Sequence, residues 1–364
     1  MTNSQAGSIV TSTITANGAA IPDTYQVVAI HIEQSVNGIS TATITILDGD
    51  PSSESFAVSS SPTFVPGVEI SIALGYDGNT KTVFSGIVTQ QSLRVNAATG
   101  PMLDVICQDK AIKMTVGRKS ATYSQTLDSA VMTHLIQASG LNPNVTPTAI
   151  TLPQLAQYTT SDWDFMLARA ELNSMLVSTI NGTVKVFNPT TDTTSVMTLT
   201  YGVNIFDFNA DLNSVTQYAK VTASAWDYST QTLINASATN NLPGPGNISS
   251  ETLAGVVGLD NFELQTTPVG SSDELSAWTE GQMLKSELSK ILGDVRFQGN
   301  SAVLPSNYVT LTGLGTRFDG DHFVSSVQHL VSDGNWITGI RIGMPSTWSV
   351  EQTQVEDPNP CCKT

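Results

Sequence analysis

Phe64–Gln90 reads FVPGVEISIALGYDGNTKTVFSGIVTQ, and Thr316–Gly343 reads TRFDGDHFVSSVQHLVSDGNWITGIRIG. Both alternate apolar and polar residues at the two-residue period of a strand with one buried face. Each carries Phe-x-Gly, at Phe84 and Gly86 in the first and at Phe318 and Gly320 in the second. Fourteen residues further on, each has another glycine, Gly100 and Gly334. In a strand-rich segment a glycine marks a bend or a close backbone approach. The match predicts one strand topology written twice, with Phe84 over Phe318 and Gly86 over Gly320.

The strand pattern extends outward from these stretches. YQVVAIHIEQSV and STATITILDGD alternate in the same way around Asn37-Gly38, a hairpin signal, and PMLDVICQDKA closes the first set. From Arg118 the period becomes helical. Leu127, Val131, Leu135 and Ala138 share a helix face that stops at Gly140. In TTSDWDFMLARAELN, Ser161 is placed to cap a helix, with Asp162 and Asp164 in its first turn and a Phe165/Ala168/Leu172 stripe. SMLVSTINGTVKVFNP then reads as a hairpin, and strands return after Val196. SSDELSAWTEGQMLKSELSKIL is the longest helical signal, with Ser272 as cap and Gly293 as stop.

These patterns predict a mainly β chain with an α+β insert, in which two related antiparallel β-barrels flank a small α+β module. The expected boundaries are a first barrel at 1–117, the α+β module at 118–195, and a second barrel at 196–346 interrupted by a helix at 272–292. An extended tail follows at 347–364.

The chain has 364 residues, 15 basic against 31 acidic, for a net charge of −16. Nucleic-acid binding requires clustered Lys and Arg, and anionic membranes require the same, so both partners are disfavoured. Charged residues make up only 13% of the chain, so Ser, Thr, Asn and Gln must cover much of the surface. Of three cysteines, Cys107 sits in an apolar strand and reads as a buried small hydrophobe. Cys361 and Cys362 are adjacent, a geometry that strains a disulfide, so no disulfide framework is expected and a reducing compartment fits. MTNSQAGSIVTST has neither the basic flank nor the apolar core of a signal peptide. No apolar run reaches the roughly 18 residues of a membrane span, and synthesis in the cytoplasm is expected.

No catalytic, cofactor-binding or metal-ligating residue is assigned. His31 and Glu33 share a strand face without further ligands, and His134 lies on the helix stripe, where partial burial is expected. His322 and His329 are seven apart, on opposite faces of an unbroken strand. Asp162 and Asp164 are explained by the helix dipole, and Asp48 and Asp50 lie in a loop too poor in acids for an EF-hand. GLGTRFDG lacks the third glycine of a dinucleotide fingerprint and precedes a strand. The five tryptophans, at 163, 226, 278, 336 and 348, are dispersed rather than gathered into a sugar platform.

FVPGVEISIALGYDG, VFSGIVTQ and VICQDKAIKMTVGRK resemble the first barrel of Vgr-type spike-hub proteins of contractile injection systems. QYTTSDWDFMLARAELNSMLV is similar to that family's helical module. QYAKVTASAWDYSTQ and RFDGDHFVSSVQHLVSDGNWITGIRIG resemble its second barrel. The likeness runs from about Tyr25 to Met344 and extends to the phage late-control tail hub. Members usually continue into a further β-barrel and a β-helical needle, whereas about twenty residues follow Met344 here.

The resemblance implies a structural, non-enzymatic baseplate hub in a phage-tail-like particle. It implies a homotrimer whose six barrels adapt a sixfold inner tube to a threefold spike. The partners so implied are other copies of the chain, the inner tube protein, the spike or its tip, and baseplate wedge components. Trp278, Leu284 and Leu288, on a broad apolar face of the 272–292 helix, are the candidate protein-interface residues. The alternatives are a carbohydrate- or receptor-binding tail protein, which calls for clustered exposed aromatics, and a hub-borne cell-wall hydrolase, which calls for a paired-acid cleft or a Cys/His pair.

Overall fold

The computed structural model describes residues 9–98, 100–228, 230–240, 242, 244–266 and 272–348. The tail expected at 347–364, with Cys361 and Cys362, lies outside the described residues beyond Trp348. The fold is mainly antiparallel β with four α-helices among the described residues.

The first unit comprises β1 (Val10–Ala16), β2 (Ala19–Ala20), β3 (Val27–Ser35), β4 (Thr41–Leu47), β5 (Glu69–Tyr76), β6 (Asn79–Asn96) and β7 (Gly100–Gln108). Alternation decides the inner face. Ile30 and Ile32, Ile44 and Ile46, Ile70 and Ile72, and Leu103 and Val105 are buried in one core. Thr41, Thr43 and Thr45, between them, point outward. Apart from the short β2, the strands run in the spatial order β1-β5-β6-β7-β4-β3. All six supply residues to the same core, so the sheet is rolled around it.

The α+β module holds β8 (Lys119–Leu127), α1 (Asp128–Ala138), β9 (Asn142–Val145), β10 (Thr151–Thr160), α2 (Asp162–Leu172), β11 (Leu176–Ile180) and β12 (Thr183–Phe187). The cap of α2 is as expected: Ser161 Oγ accepts from the Asp164 amide at 3.1 Å. The stripes are shifted. Ala138 and Ala168 are exposed, while Met132, Ile136, Met166 and Ala170 fill the module's core, because each helix is clamped between strands on a wider face than one stripe.

The remaining elements are β13 (Ser195–Thr200), β14 (Ile205–Leu212), β15 (Lys220–Asp227), β16 (Thr232–Thr239), α3 (Ser250–Val257), β17 (Asn261–Thr266), α4 (Ser272–Leu288), β18 (Ile291–Gln298), β19 (Tyr308–Thr312), β20 (Gly320–Ser332) and β21 (Asn335–Ile342). Six of them form a second unit in the order β13-β19-β20-β21-β18-β14. Taken in chain order within each unit, this is the order of the first: first strand, fourth, fifth, sixth, third, second. One pairing differs in direction, β13 being parallel to β19 where β1 is antiparallel to β5.

The likeness extends to irregularities. Each fifth strand has a bulge against the sixth, at Thr89 between Val88 and Gln90 and at Ser325 between Val324 and Ser326. Each second strand has one against the third, at Val28 and at Phe206. Aligned on these bulges, Val88 corresponds to Val324, Leu93 to His329 and Val95 to Val331. His31 corresponds to Asn209 in the same way. The Phe-x-Gly match lies two residues out of this register: Gly320 stands where Phe84 stands, each opposite the fourth strand at Leu311 and Ile72. The hairpin after the fifth strand is also shorter in the second unit, closed by Asp333-Gly334 with positive φ at both residues.

The helix expected over 272–292 ends at Leu288. The amides of Ser289 and Lys290 turn back onto Lys285, Ser286 and Glu287, and Ile291 opens β18. Gly293 is not the stop. It lies within β18, where a Cβ would fall 2.4 Å from the Asn209 carbonyl oxygen on the adjoining β14. The insertion into the second unit is larger than one helix. β15, β16 and β17 form a separate three-stranded sheet against which α4 packs, so VTQYAKVTASAWDYSTQTLI belongs to that sheet and not to the second barrel.

Candidate assembly surface

The two six-stranded units are joined strand to strand. β20, the fifth strand of the second, pairs antiparallel with β3, the second strand of the first, from Ser326 opposite Ser35 to Ser332 opposite Ala29. One sheet therefore runs through both cores. Side chains tie the seam: Ser326 Oγ donates to the Gln34 carbonyl at 3.0 Å, and the buried Gln34 Nε2 donates to the Val83 carbonyl at 3.1 Å.

Below the seam, Trp336 of β21 enters the first unit's core and lies against Tyr76, with ring centroids 5.3 Å apart. A Cβ on Gly299 would fall 2.1 Å from Trp336 Cδ2, so that position is closed to larger residues. Trp336 Nε1 approaches His329 Nδ1 at 3.4 Å, and the Thr338 hydroxyl lies 3.0 Å from the same nitrogen. Burial pushes the His329 pKa down to about 4, so the ring is neutral and Nδ1 accepts.

The outer face of the second unit's sheet carries a run of polar side chains. Asp207 and Asn209 on β14, Asp294 and Arg296 on β18, Arg341 on β21, and Ser326 and Gln328 on β20 line one open depression of about 370 Å³. Asp294 and Arg341 lie 3.5 Å apart there, both well exposed. The row continues across the seam, where Gln328 faces Glu33 and Leu330 faces His31.

The module docks on the first unit through its turns. Asn37, in the β3–β4 connection, donates its amide to the Val177 carbonyl at 2.6 Å and accepts from the Val177 amide at 2.9 Å. Asp109 accepts from the amides of Ala111 and Gly182, both at 2.9 Å, and burial raises its pKa.

The expected interface residues are placed as follows. Leu284 and Leu288, expected at a protein interface, are buried inside this chain with Val36, Leu176, Tyr308, Phe323 and Met344. Trp278 is partly buried against a small cluster made by Leu275 of α4 with Ala223 and Ala225 of the inserted sheet. The helix face is broad because α4 serves two cores at once, the inserted sheet near its start and the second unit near its end. The pattern of apolar residues alone does not distinguish that from a face reserved for a partner.

The other singled-out residues are separated. His31 and His134 are exposed, which corrects the partial burial expected of His134. His322 and His329 are both buried, because the extra residue Ser325 restores inward parity between them. Asp48 accepts from the amides of Val58 and Ser59 at 2.9 and 2.7 Å and pins the loop after β4. Asp162 pairs with Lys119 at 2.7 Å. Among the described residues no three His, Cys, Asp or Glu side chains are grouped to hold a metal ion. No helix among them is long and apolar enough to cross a membrane.

Three solved structures share this arrangement. The 43 kDa tail protein of prophage MuSo2 from Shewanella oneidensis is 11% identical, with a TM-score of 0.69 over 93% of this chain and 99% of that one. A tail protein from Neisseria meningitidis MC58 is 12% identical, with a TM-score of 0.66 over 93% and 98%. The E. coli c3393 protein is described as a component of the type VI secretion system with structural similarity to T4 bacteriophage tail proteins gp27 and gp5. It is 9% identical, with a TM-score of 0.59 over 93% and 80%. No curated protein matches the chain at a significant level.

The fold is thus of the tail-hub type, as the Vgr-like resemblance implied. The chain belongs to the family described as the Alg8 N-terminal domain, whose model matches residues 6–333.

Proposed function

We propose that the chain is a structural hub of a phage-tail-like contractile injection device, in which three copies close a ring of six barrels between a sixfold inner tube and a threefold spike. The observation that carries this reading is the duplication: two units with one strand order and matching bulges, joined edge to edge in a single sheet. Two equivalent units per chain let a threefold assembly present a nearly sixfold surface. The tail proteins sharing the fold support a place in a tail or baseplate, with a non-enzymatic role. The expected partners are further copies of the chain, the inner tube protein, the spike or its tip, and baseplate wedge components. The chain is then made in the cytoplasm and carried in the assembled particle. An abundance of uncharged polar residues suits large permanent contacts, whose centres are depleted in charge.

Native mass spectrometry tests the reading. Trimers, alone or once a spike protein is added, are expected, and electron micrographs should show rings with six density lobes. Only monomers under both conditions would remove the threefold hub.

A further inference from the structure

The seam between the two units is built from the fifth strand of one and the second strand of the other. The chain carries one more of each. β14, the second strand of the second unit, pairs with β18 alone among the described residues. Beyond Val88, β6 pairs only with β7 among the described residues. Both free edges are long, and an unpaired edge is a template for another strand.

Two apolar side chains at this end of β6 are also left uncovered. His329 and Val331, past the bulge of β20, turn into the core of the first unit, where His329 is 1% exposed. Their counterparts past the bulge of β6 are Leu93 and Val95, which are 44% and 73% exposed. Equivalent positions of a repeated unit are covered in one case and bare in the other. The difference is the adjoining unit, which β20 has within the chain and β6 does not.

We infer that β6 of one copy pairs antiparallel with β14 of a second copy, repeating between chains the β20·β3 seam. Carrying the seam's register across by the bulge alignment sets Leu93 opposite Ala210, Arg94 opposite Asn209 and Val95 opposite Phe208. Leu93 and Val95 then cover the margin of the second unit's core, to which Phe208 and Ala210 already contribute. On the outer face Arg94, which already reaches Asp104 at 2.5 Å, gains Asp207 and Asp211 as diagonal neighbours. The contact is head to tail, so it closes into a ring or continues as a filament. That the ring closes at three rests on the hub reading above.

Paired cysteines test the register in the full chain. Arg94→Cys with Asn209→Cys, in a background of Cys361→Ser and Cys362→Ser, is treated with a short bis-maleimide and run on a denaturing gel. Covalent dimers and trimers, with nothing larger, are expected. Gln90→Cys with Asp207→Cys, six residues out of register and about 20 Å apart, should remain monomeric. In a separate arm Arg94→Glu should reduce assembly in native mass spectra, and Asp211→Lys on top of it should restore part of the loss. Cross-linked species running past trimer keep the strand pairing and overturn the threefold reading. Native trimers without the 94–209 cross-link overturn the pairing and keep the threefold reading. Monomers with no cross-link overturn both.

Discussion

Val331 and Val95 hold the same position on the same strand of two equivalent units, yet Val331 packs against a neighbouring core while Val95 is 73% exposed. Local sequence does not separate them, since both are valines in alternating strands past a bulge. The environment does. Full burial of such a side chain contributes about 2 kcal/mol, and the partly buried Val331 gains a share of that at the seam which Val95 does not.

The seam should therefore be sensitive. Trp336→Ala removes the ring that lies against Tyr76 and His329 and leaves a cavity under the joint. A loss of about 3–5 kcal/mol in urea unfolding is expected. Gly299→Ala attacks the same contact from the other side by forcing a Cβ into the Trp336 ring, at about 1–3 kcal/mol. Wild-type stability for Gly299→Ala would show that the ring has room to move, and wild-type stability for Trp336→Ala would show that the ring does not hold the seam.

Acid should loosen the same region. His329 has a pKa near 4 when folded against an ordinary 6.5, so between these values the unfolded chain binds a proton that the folded chain refuses. Stability from this group is complete above pH 6.5 and falls as pH drops toward 4, by about 3 kcal/mol in all. His322, buried at the other end of β20, shifts in the same direction. His329→Gln should give a shallower pH slope in denaturant titrations, whatever its starting stability. An unchanged slope would move the acid sensitivity elsewhere.

Much of this was legible in the sequence. Alternation marked the strands of the first unit, and the doubled phrase pointed to a true duplication. The residues that suggested it were nevertheless the wrong ones, because bulges at Thr89 and Ser325 and unequal hairpins set a register that composition does not reveal. The same bulge reversed the expectation for His322 and His329. Strand pairing across the 290 or so residues between β3 and β20 leaves no local mark, so the seam was invisible until the fold was known. The burial of Leu284 and Leu288 within the chain was not legible for a related reason: a helix between two cores has the same apolar pattern as a helix awaiting a partner.

The α+β module holds a buried ion pair that should be costly to break. Arg169 donates through Nε and Nη2 to the two Asp128 oxygens at 2.6 and 2.8 Å, and Asn173 Nδ2 adds a third bond at 2.9 Å. Arg169→Met strands a nearly buried carboxylate and should cost about 3–5 kcal/mol. Adding Asp128→Leu should recover much of that loss in the same thermal or denaturant assay. A double variant no better than the single would mean that the helix contacts, not the charge, dominate.

Asp162 is a structural carboxylate by geometry, in the first turn of α2 and paired with the half-exposed Lys119. Asp162→Asn should lower stability by about 0.5–1 kcal/mol through the helix dipole and the lost pair. Peptidoglycan hydrolysis that disappears with this substitution would overturn the non-enzymatic reading.

Trp278 decides between two roles for α4. It is partly buried against the cluster of Leu275, Ala223 and Ala225, so its ring joins the helix to the inserted sheet. Leu284 and Leu288, two turns on, are committed to the second unit's side. A helix held at both ends by its own chain acts as a strut, and the ring is one of its fastenings. Trp278→Ala should then cost about 2 kcal/mol, less than for a fully buried ring because part of it already meets water. The loss should be local, with faster amide exchange in β15, β16 and the start of α4 and unchanged exchange in β3 and β20. Native mass should keep the wild-type distribution. If stability and exchange stay at wild-type values while assembly falls, the exposed part of the ring is the part that matters, and Trp278 anchors a contact with another protein.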